Sequence, residues 1–361
     1  MRIAVVAHLR YPIAPPFMGG MEAHSHLLTR ALVARGHDVT LFAAGDSDAT
    51  LPLRALTPRH HETTLPWALW MNSAELSQIQ DDAFETAAMM IERDGFDVVH
   101  NNTMHPTLLN WAARVGQPMV TSLHIPPFGG LADAVARNAV PWLRETTTSH
   151  AHLASWWSVP PGSATVVYNG IDLAAWPFVP QGNGRAVWCG RVTPNKGTAV
   201  AIEAAKTLGI PLDVVGPIDC MDYFDAEVAP RLDADRIYRG LLHGPELASM
   251  LGAASVLVST PMWDEPFGLV NVEAMACGVP VAAIDRGAMR EVIGDCGVLA
   301  QDANALPGAI DAAMGLSRRA CRQRVERVFS VDAMLDGYEA AYAAAIAARP
   351  VSSRNTVAAL A

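Results

Sequence analysis

Short apolar runs rich in β-branched residues alternate along the whole chain with longer helical stretches. This is the pattern of a parallel sheet wrapped by helices. In the first half it predicts strands over Arg2–Ala7, Asp38–Ala43, Asp97–His100, Pro118–His124 and Thr165–Tyr168. A helix is expected from Gly20 to Arg35, closed by Gly36 as a C-cap, and another from Leu76 to Arg93, ahead of Gly95. Around Pro177–Gly184 the composition turns to Pro, Gly and polar residues, which reads as a linker. The alternation then restarts, with strands over Arg185–Cys189, Leu212–Val215, Arg236–Arg239, Ser255–Ser259, Pro280–Ile284 and Val298–Ala300. An Ala-rich helix follows from Val331 to Arg349, and Pro350–Ala361 reads as a frayed tail. The fold class is therefore α/β, with two Rossmann-like domains expected over 1–176 and 185–330 and a closing helix over 331–349.

Length agrees with this division. A chain of 361 residues exceeds one ordinary core and suits two α/β domains of about 150–180 residues each. The net charge of −10 argues against nucleic acid and against a purely electrostatic grip on a membrane. Five cysteines without C-x-x-C spacing argue against a disulfide framework or a zinc site and for a reducing compartment. The N-terminal MRIAVVAHLR reads as a buried strand, because no cleavage pattern follows a signal-length apolar core. The longest apolar stretches fall far short of a membrane span. A cytoplasmic protein, at most peripheral to the inner face of the membrane, is expected.

Three segments carry chemistry. In DEPFGLVNVEAMACGVP, Glu265 and Glu273 lie eight residues apart across a strand-to-helix turn, and Pro266 and Gly268 set the helix start. The amides near Phe267, Gly268 and Leu269 then form a helix N-terminus that favours phosphate. In GRVTPNKG, directly after the first strand of the second half, Gly190 allows a tight turn, and Arg191 and Lys196 can reach a diphosphate. The G-x4-G-K-[ST] order of a Walker A loop is absent. After the first strand, Gly19 and Gly20 open a helix and permit close approach of backbone to a ligand. His124 ends a predicted strand.

The first of these segments resembles the E-x7-E signature of glycosyltransferase family 4, a retaining family with the GT-B fold. The likeness continues through EAMACGVPVAAIDRGAMREVI, and GRVTPNKG resembles the family's G-R-x4-K-G segment. The resemblance is dense in the second half and thin in the first. It implies two domains facing a central cleft, the first for the acceptor and the second for a nucleotide-sugar donor. It places Glu265 at the donor-sugar hydroxyls, Glu273 at the ribose, Gly19 and Gly20 near the phosphate and sugar, and His124 near the reacting carbon. The run Asn169-Gly170-Ile171-Asp172 is similar to the family's turn before the linker. The expected activity is metal-independent hexosyl transfer, with no cofactor and a front-face mechanism. The expected donor is a UDP-sugar first and GDP-mannose second, and the acceptor is a small-molecule, glycan or lipid-linked hydroxyl. A GT-B nucleotide-sugar epimerase and a non-catalytic nucleotide-sugar-binding protein are the alternatives, both disfavoured by the intact E-x7-E and cationic motifs. A dehydrogenase is disfavoured because no strand is followed by G-x-G-x-x-G.

Other features carry less. Asp46-Ser-Asp48 and Asp233-Ala-Asp235 fit D-x-D but lie outside the matching motifs, and the twelve histidines show no convincing ligand spacing. Arg318, Arg319, Arg322, Arg324 and Arg327 read as a solvated helix face, or else one that touches an anionic membrane. Trp67 and Trp70 suit an acceptor groove and equally a core or lid.

Overall fold

The computed structural model describes residues 1–71 and 73–350. Of the tail expected to be frayed, all beyond Pro350 lies outside the described residues. The chain divides into two compact units. The first comprises Met1–Thr147, Trp156–Val167 and the stretch beginning at Leu335; the second comprises Thr148–Ser155 and Tyr168–Met334.

The first unit is a seven-stranded sheet in the order β3-β2-β1-β4-β5-β6-β7. Its strands are β1 Arg2–Ala7, β2 Asp38–Ala44, β3 Leu53–Thr57, β4 Val98–Asn102, β5 Met119–Leu123, β6 Leu143–Thr147 and β7 Ala164–Val166. Every pairing is parallel. The sequence pattern shows five of these strands and misses β3 and β6. β3 is a half-exposed edge strand, and β6 reads LRETT, in which Glu145, Thr146 and Thr147 are buried. The order reverses between β1 and β4, which makes the crevice beyond their carboxyl ends the expected ligand position of a doubly wound sheet. The helix Gly20–Ala34 follows β1, and the bond from His37 N to Leu32 O (3.1 Å) closes its end around Gly36.

The second unit repeats the plan with six parallel strands in the order β10-β9-β8-β11-β12-β13. These are β8 Ala186–Cys189, β9 Leu212–Val215, β10 Arg236–Tyr238, β11 Val256–Ser259, β12 Val281–Ile284 and β13 Gly297–Ala300. All six match the sequence expectation to within two residues. The reason lies in their burial. Along β8, Val187 joins one apolar cluster while Ala186 and Trp188 join another on the opposite face. A strand buried on both faces is apolar almost throughout and stands out in sequence. Here the reversal falls between β8 and β11.

The linker expected at Pro177–Gly184 groups with the second unit, and the changeover falls between Val167 and Tyr168 instead. The cause is backbone bonding: Val179 N donates to Cys277 O (3.0 Å) and Asn183 N to Ala253 O (2.9 Å). The last helix, Val331–Ala347, has its first four residues grouped with the second unit and the rest with the first.

Candidate active site

In the second unit, the loops leaving β8 and β11 meet at the switch point. β8 runs out through Gly190 and Arg191 into a short 3-10 turn, Pro194–Lys196. The Thr260 hydroxyl, just past β11, donates toward the carbonyls of Lys196 (2.9 Å) and Gly197 (3.0 Å), and Met262 N donates to Asn195 O (2.9 Å). These bonds bring Lys196 to Glu265, with Nζ 2.5 Å from Oε2 and side chains 24% and 13% exposed. Trp263 Nε1 donates to the same oxygen (2.8 Å), and its ring lies under the ammonium at 5.5 Å. An ammonium has three N–H donors, so the Glu265 contact leaves it donor capacity for an anion. Arg191 is half-exposed and its Nη1 lies 3.0 Å from Asp219 Oδ2.

Two further glycines, Gly216 after β9 and Gly287 in the stretch that continues the second motif, set this geometry. A Cβ on Gly216, at the end of β9, would fall 1.8 Å from the carbonyl oxygen of Gly190. A Cβ on Gly287 would fall 2.4 Å from both the amide nitrogen and the carbonyl oxygen of Glu265, at a φ of +58° that disfavours side chains in any case. Close approach is therefore enforced at Gly216 and Gly287, whereas Gly190 itself has only ordinary contacts with the Trp188 ring.

The helix Leu269–Ala276 starts at Gly268, which is left-handed, and its first turn has no side-chain cap. The preceding Pro266 carbonyl accepts from the hydroxyls of Thr148 (3.1 Å) and Ser149 (2.7 Å), which pins the turn. The Phe267 ring is buried in the core beside Phe329, so only its backbone can serve a ligand. Leu269 is half-buried at the helix start. The carboxyl of Glu273, on the second turn, has no hydrogen-bond or ion-pair partner among the described residues, and burial pushes it up to about 7. Glu291, in the family-like stretch, is spent on structure: it accepts from the amides of His150 (2.8 Å) and Ala151 (3.2 Å) and from the Tyr168 hydroxyl (2.8 Å).

The first unit holds the other expected residues. Gly19 and Gly20 form the cap and first residue of the helix after β1. A Cβ on Gly19 would meet Glu22 Oε2 at 3.0 Å. Burial raises the Glu22 carboxyl, but the close approach of His8 Nε2 (3.0 Å) and the charge of Arg10 hold it below the usual range. His124 follows β5 and its Nε2 lies 3.0 Å from Asn102 Oδ1, at the end of β4.

Asp46 pairs with His60, Asp48 with His26, and Asp233 with Arg236. Among the described residues no group of three or more His, Cys, Asp or Glu could hold a metal, and no helix is long and apolar enough to cross a membrane. The Arg318–Arg327 stretch is not simply a solvated face. Arg318 donates to the carbonyls of Val179, Gly252 and Ala254, Arg322 to those of Trp176 and Ala276, and Arg324 to those of Glu291 and Val292. Three of these arginines clamp backbone carbonyls of the 176–179 loop and of helix C-terminal turns, which membrane binding does not require. Trp67 lies against the Arg10 guanidinium at 5.5 Å.

Residues 18–175 match the family described as Glycosyltransferase Family 4, and residues 183–315 match Glycosyl transferases group 1. Glycogen synthase of Mycobacterium tuberculosis is 28% identical over 399 aligned residues, covering 91% of each chain. A D-inositol 3-phosphate glycosyltransferase of Gordonia bronchialis is 26% identical, covering 99% of this chain and 92% of its own. Among solved structures, Anabaena HepE in complex with UDP-glucose superposes with a TM-score of 0.71 at 18% identity, covering 95% of this chain and 99% of its own. Two doubly wound units and these likenesses define a glycosyltransferase of GT-B fold. Within that class, the chain belongs to glycosyltransferase family 4.

Proposed function

We propose that the enzyme moves a hexosyl group, with retention and without a metal, from a nucleotide-diphosphate sugar to a hydroxyl acceptor. The observation that carries this reading is the Lys196–Glu265 pair at the switch point of the second sheet, flanked by Arg191 and the uncapped turn at Gly268. As the C1–O bond to the diphosphate breaks, negative charge grows on the departing oxygen. Arg191, Lys196 and the helix-start amides supply fixed positive potential there. The acceptor oxygen bonds to C1 from the face the phosphate leaves, and its proton passes to the departing phosphate. Glu265 holds donor-sugar hydroxyls, Glu273 the ribose, and His124 lies near the reacting carbon, with Gly19 and Gly20 close to the phosphate and sugar. The second unit binds the donor and the first the acceptor.

A UDP-sugar is the first donor, in line with the UDP-glucose bound to HepE, and GDP-mannose the second. The acceptor is a small-molecule, glycan or lipid-linked hydroxyl, and the enzyme works in the cytoplasm, touching the membrane's inner face only where that acceptor is lipid-linked. The test is a panel of nucleotide sugars scored by thermal stabilisation and slow donor hydrolysis. Stabilisation and turnover with one donor support the reading. Binding without turnover in the presence of any hydroxyl acceptor favours a sensor, and release of an epimerised sugar, rather than slow hydrolysis to the unaltered one, favours an epimerase.

Two expectations follow from the charge arrangement. Because cationic side chains and amides answer the leaving-group charge, product formation should persist in EDTA; loss with chelator and restoration by manganese overturns this. Glu273→Ala should raise the donor KM more than it lowers kcat, since a ribose contact is remote from the changing bond. Unchanged donor affinity with collapsed kcat contradicts the assignment.

A further inference from the structure

A buried polar network lies beneath His124 in the first unit. It is built from β4, β5, the helix after β1 and the last helix, and the sequence motifs do not include it. His100 and Asn102 sit on β4, fully buried. The last helix contributes Tyr338 and Tyr342, one turn apart and also fully buried. Tyr342 Oη lies 2.6 Å from His100 Nδ1. His100 Nε2 lies 3.1 Å from Asn102 Oδ1 and 3.0 Å from Ser122 Oγ. Asn102 Oδ1 also receives His124 Nε2, at 3.0 Å, while Asn102 Nδ2 donates to Ser25 Oγ at 3.2 Å.

We infer that Tyr342, His100 and Asn102 are positioning residues that hold His124 as its Nε2–H tautomer. The inference rests on the proposed place of His124 near the reacting carbon for its effect on rate, but not for its geometry. A buried phenol is a far better donor than acceptor toward an imidazole nitrogen, so Tyr342 O–H donates to His100 Nδ1. Burial holds the His100 ring neutral, its pKa lowered to about 3. A neutral ring that accepts at Nδ1 carries its hydrogen on Nε2. That hydrogen points between Ser122 Oγ and Asn102 Oδ1, and an Asn102 amide turned the other way would set its own N–H against it, so the oxygen faces both histidines and the nitrogen faces Ser25. The second lone pair of the same oxygen then requires a donor from His124, and only Nε2–H supplies one. A hydroxyl on the last helix thereby decides which nitrogen of His124 carries the hydrogen, through two fully buried residues.

Histidine-selective ¹⁵N NMR tests this directly, because protonated and unprotonated imidazole nitrogens differ in chemical shift. In the wild-type protein both His100 and His124 should appear as Nε2–H tautomers; an Nδ1–H form of His124 overturns the inference whatever any variant does. In Tyr342→Phe, His100 loses the donor that fixes it, Asn102 is free to turn, and a second His124 signal with Nδ1–H character should grow in. Tyr338→Phe removes a hydroxyl from the same helix that contacts Ser122 (3.2 Å) and His24 (3.3 Å) but leaves the Tyr342–His100 bond in place, so His124 should keep its Nε2–H tautomer. Equal shifts in both variants, or none in Tyr342→Phe, overturn the relay. Turnover in Tyr342→Phe should fall roughly fivefold at unchanged donor KM, the shift in population that one lost hydrogen bond allows. A tautomer change with full turnover upholds the positioning chain and removes His124 from the chemistry.

Discussion

Replacing Lys196 with alanine is expected to lower turnover by roughly 10²–10³, the scale seen when one preorganised donor to a transition-state charge is removed. The ammonium is held at Glu265 and over Trp263 before any ligand arrives, so it needs little reorganisation as the diphosphate charge develops. Arg191→Ala should act in the same direction and on a similar scale. Arg191 starts from a half-exposed pair with Asp219, so a phosphate must draw it away from that partner. The double replacement should cost less than the product of the two, because both groups serve one set of phosphate oxygens. Lys196→Arg should restore only part of the rate, since a planar fork cannot take the place of a compact ammonium between Glu265 and the Trp263 ring. Circular dichroism and melting serve as controls, because Lys196→Ala also strips Glu265 of its counter-charge in a half-buried setting. Folded variants with near-normal kcat at saturating donor would move the diphosphate site elsewhere and remove the main premise of the proposed chemistry.

Much of this site was legible because its parts are local in sequence. GRVTPNKG and DEPFGLVNVE each follow a strand buried on both faces, and a strand of that kind announces its own end. Their meeting needs only the strand order around β8 and β11. What stayed hidden depends on partners far along the chain. Gly216 looks like any glycine after a strand; its necessity comes from the Gly190 carbonyl that would lie 1.8 Å from a Cβ there. Gly287 stands in the stretch legible from the sequence, but the reason for it, the backbone of Glu265 against which a Cβ would fall, does not show there. Arg318, Arg322 and Arg324 look like a charged helix face until the carbonyls they bind are known. His100 is an ordinary buried histidine in sequence, and its partner Tyr342 lies on the last helix. β6 was missed for a related reason: in LRETT the buried polar side chains imitate a surface loop.

One of those polar residues leads to the second large expected effect. Glu145, on β6, is 3% exposed, and its Oε2 is buried without a hydrogen-bond partner. Burial pushes its carboxyl up from an ordinary 4.5 to about 7, against the lowering effect of Ser163, its own backbone and Arg144. In the unfolded chain the same group ionises near its ordinary value. Between these two values the folded form binds more protons than the unfolded form, so stability must fall as pH rises through this window. Below it Glu145 costs nothing on this account; above it the penalty is complete, at about 3 kcal/mol. Glu145→Gln keeps the shape and removes the ionisation. The variant should therefore melt close to wild type at pH 4.5 but roughly 5–10 °C higher at pH 8, in the calorimetric transition of the first unit. Its stability should also lose most of the wild-type decline between those two pH values. If the two proteins gave parallel curves, with the same melting point at pH 8, the Glu145 carboxylate would have to be solvated or paired, and β6 would not bury its polar face as described.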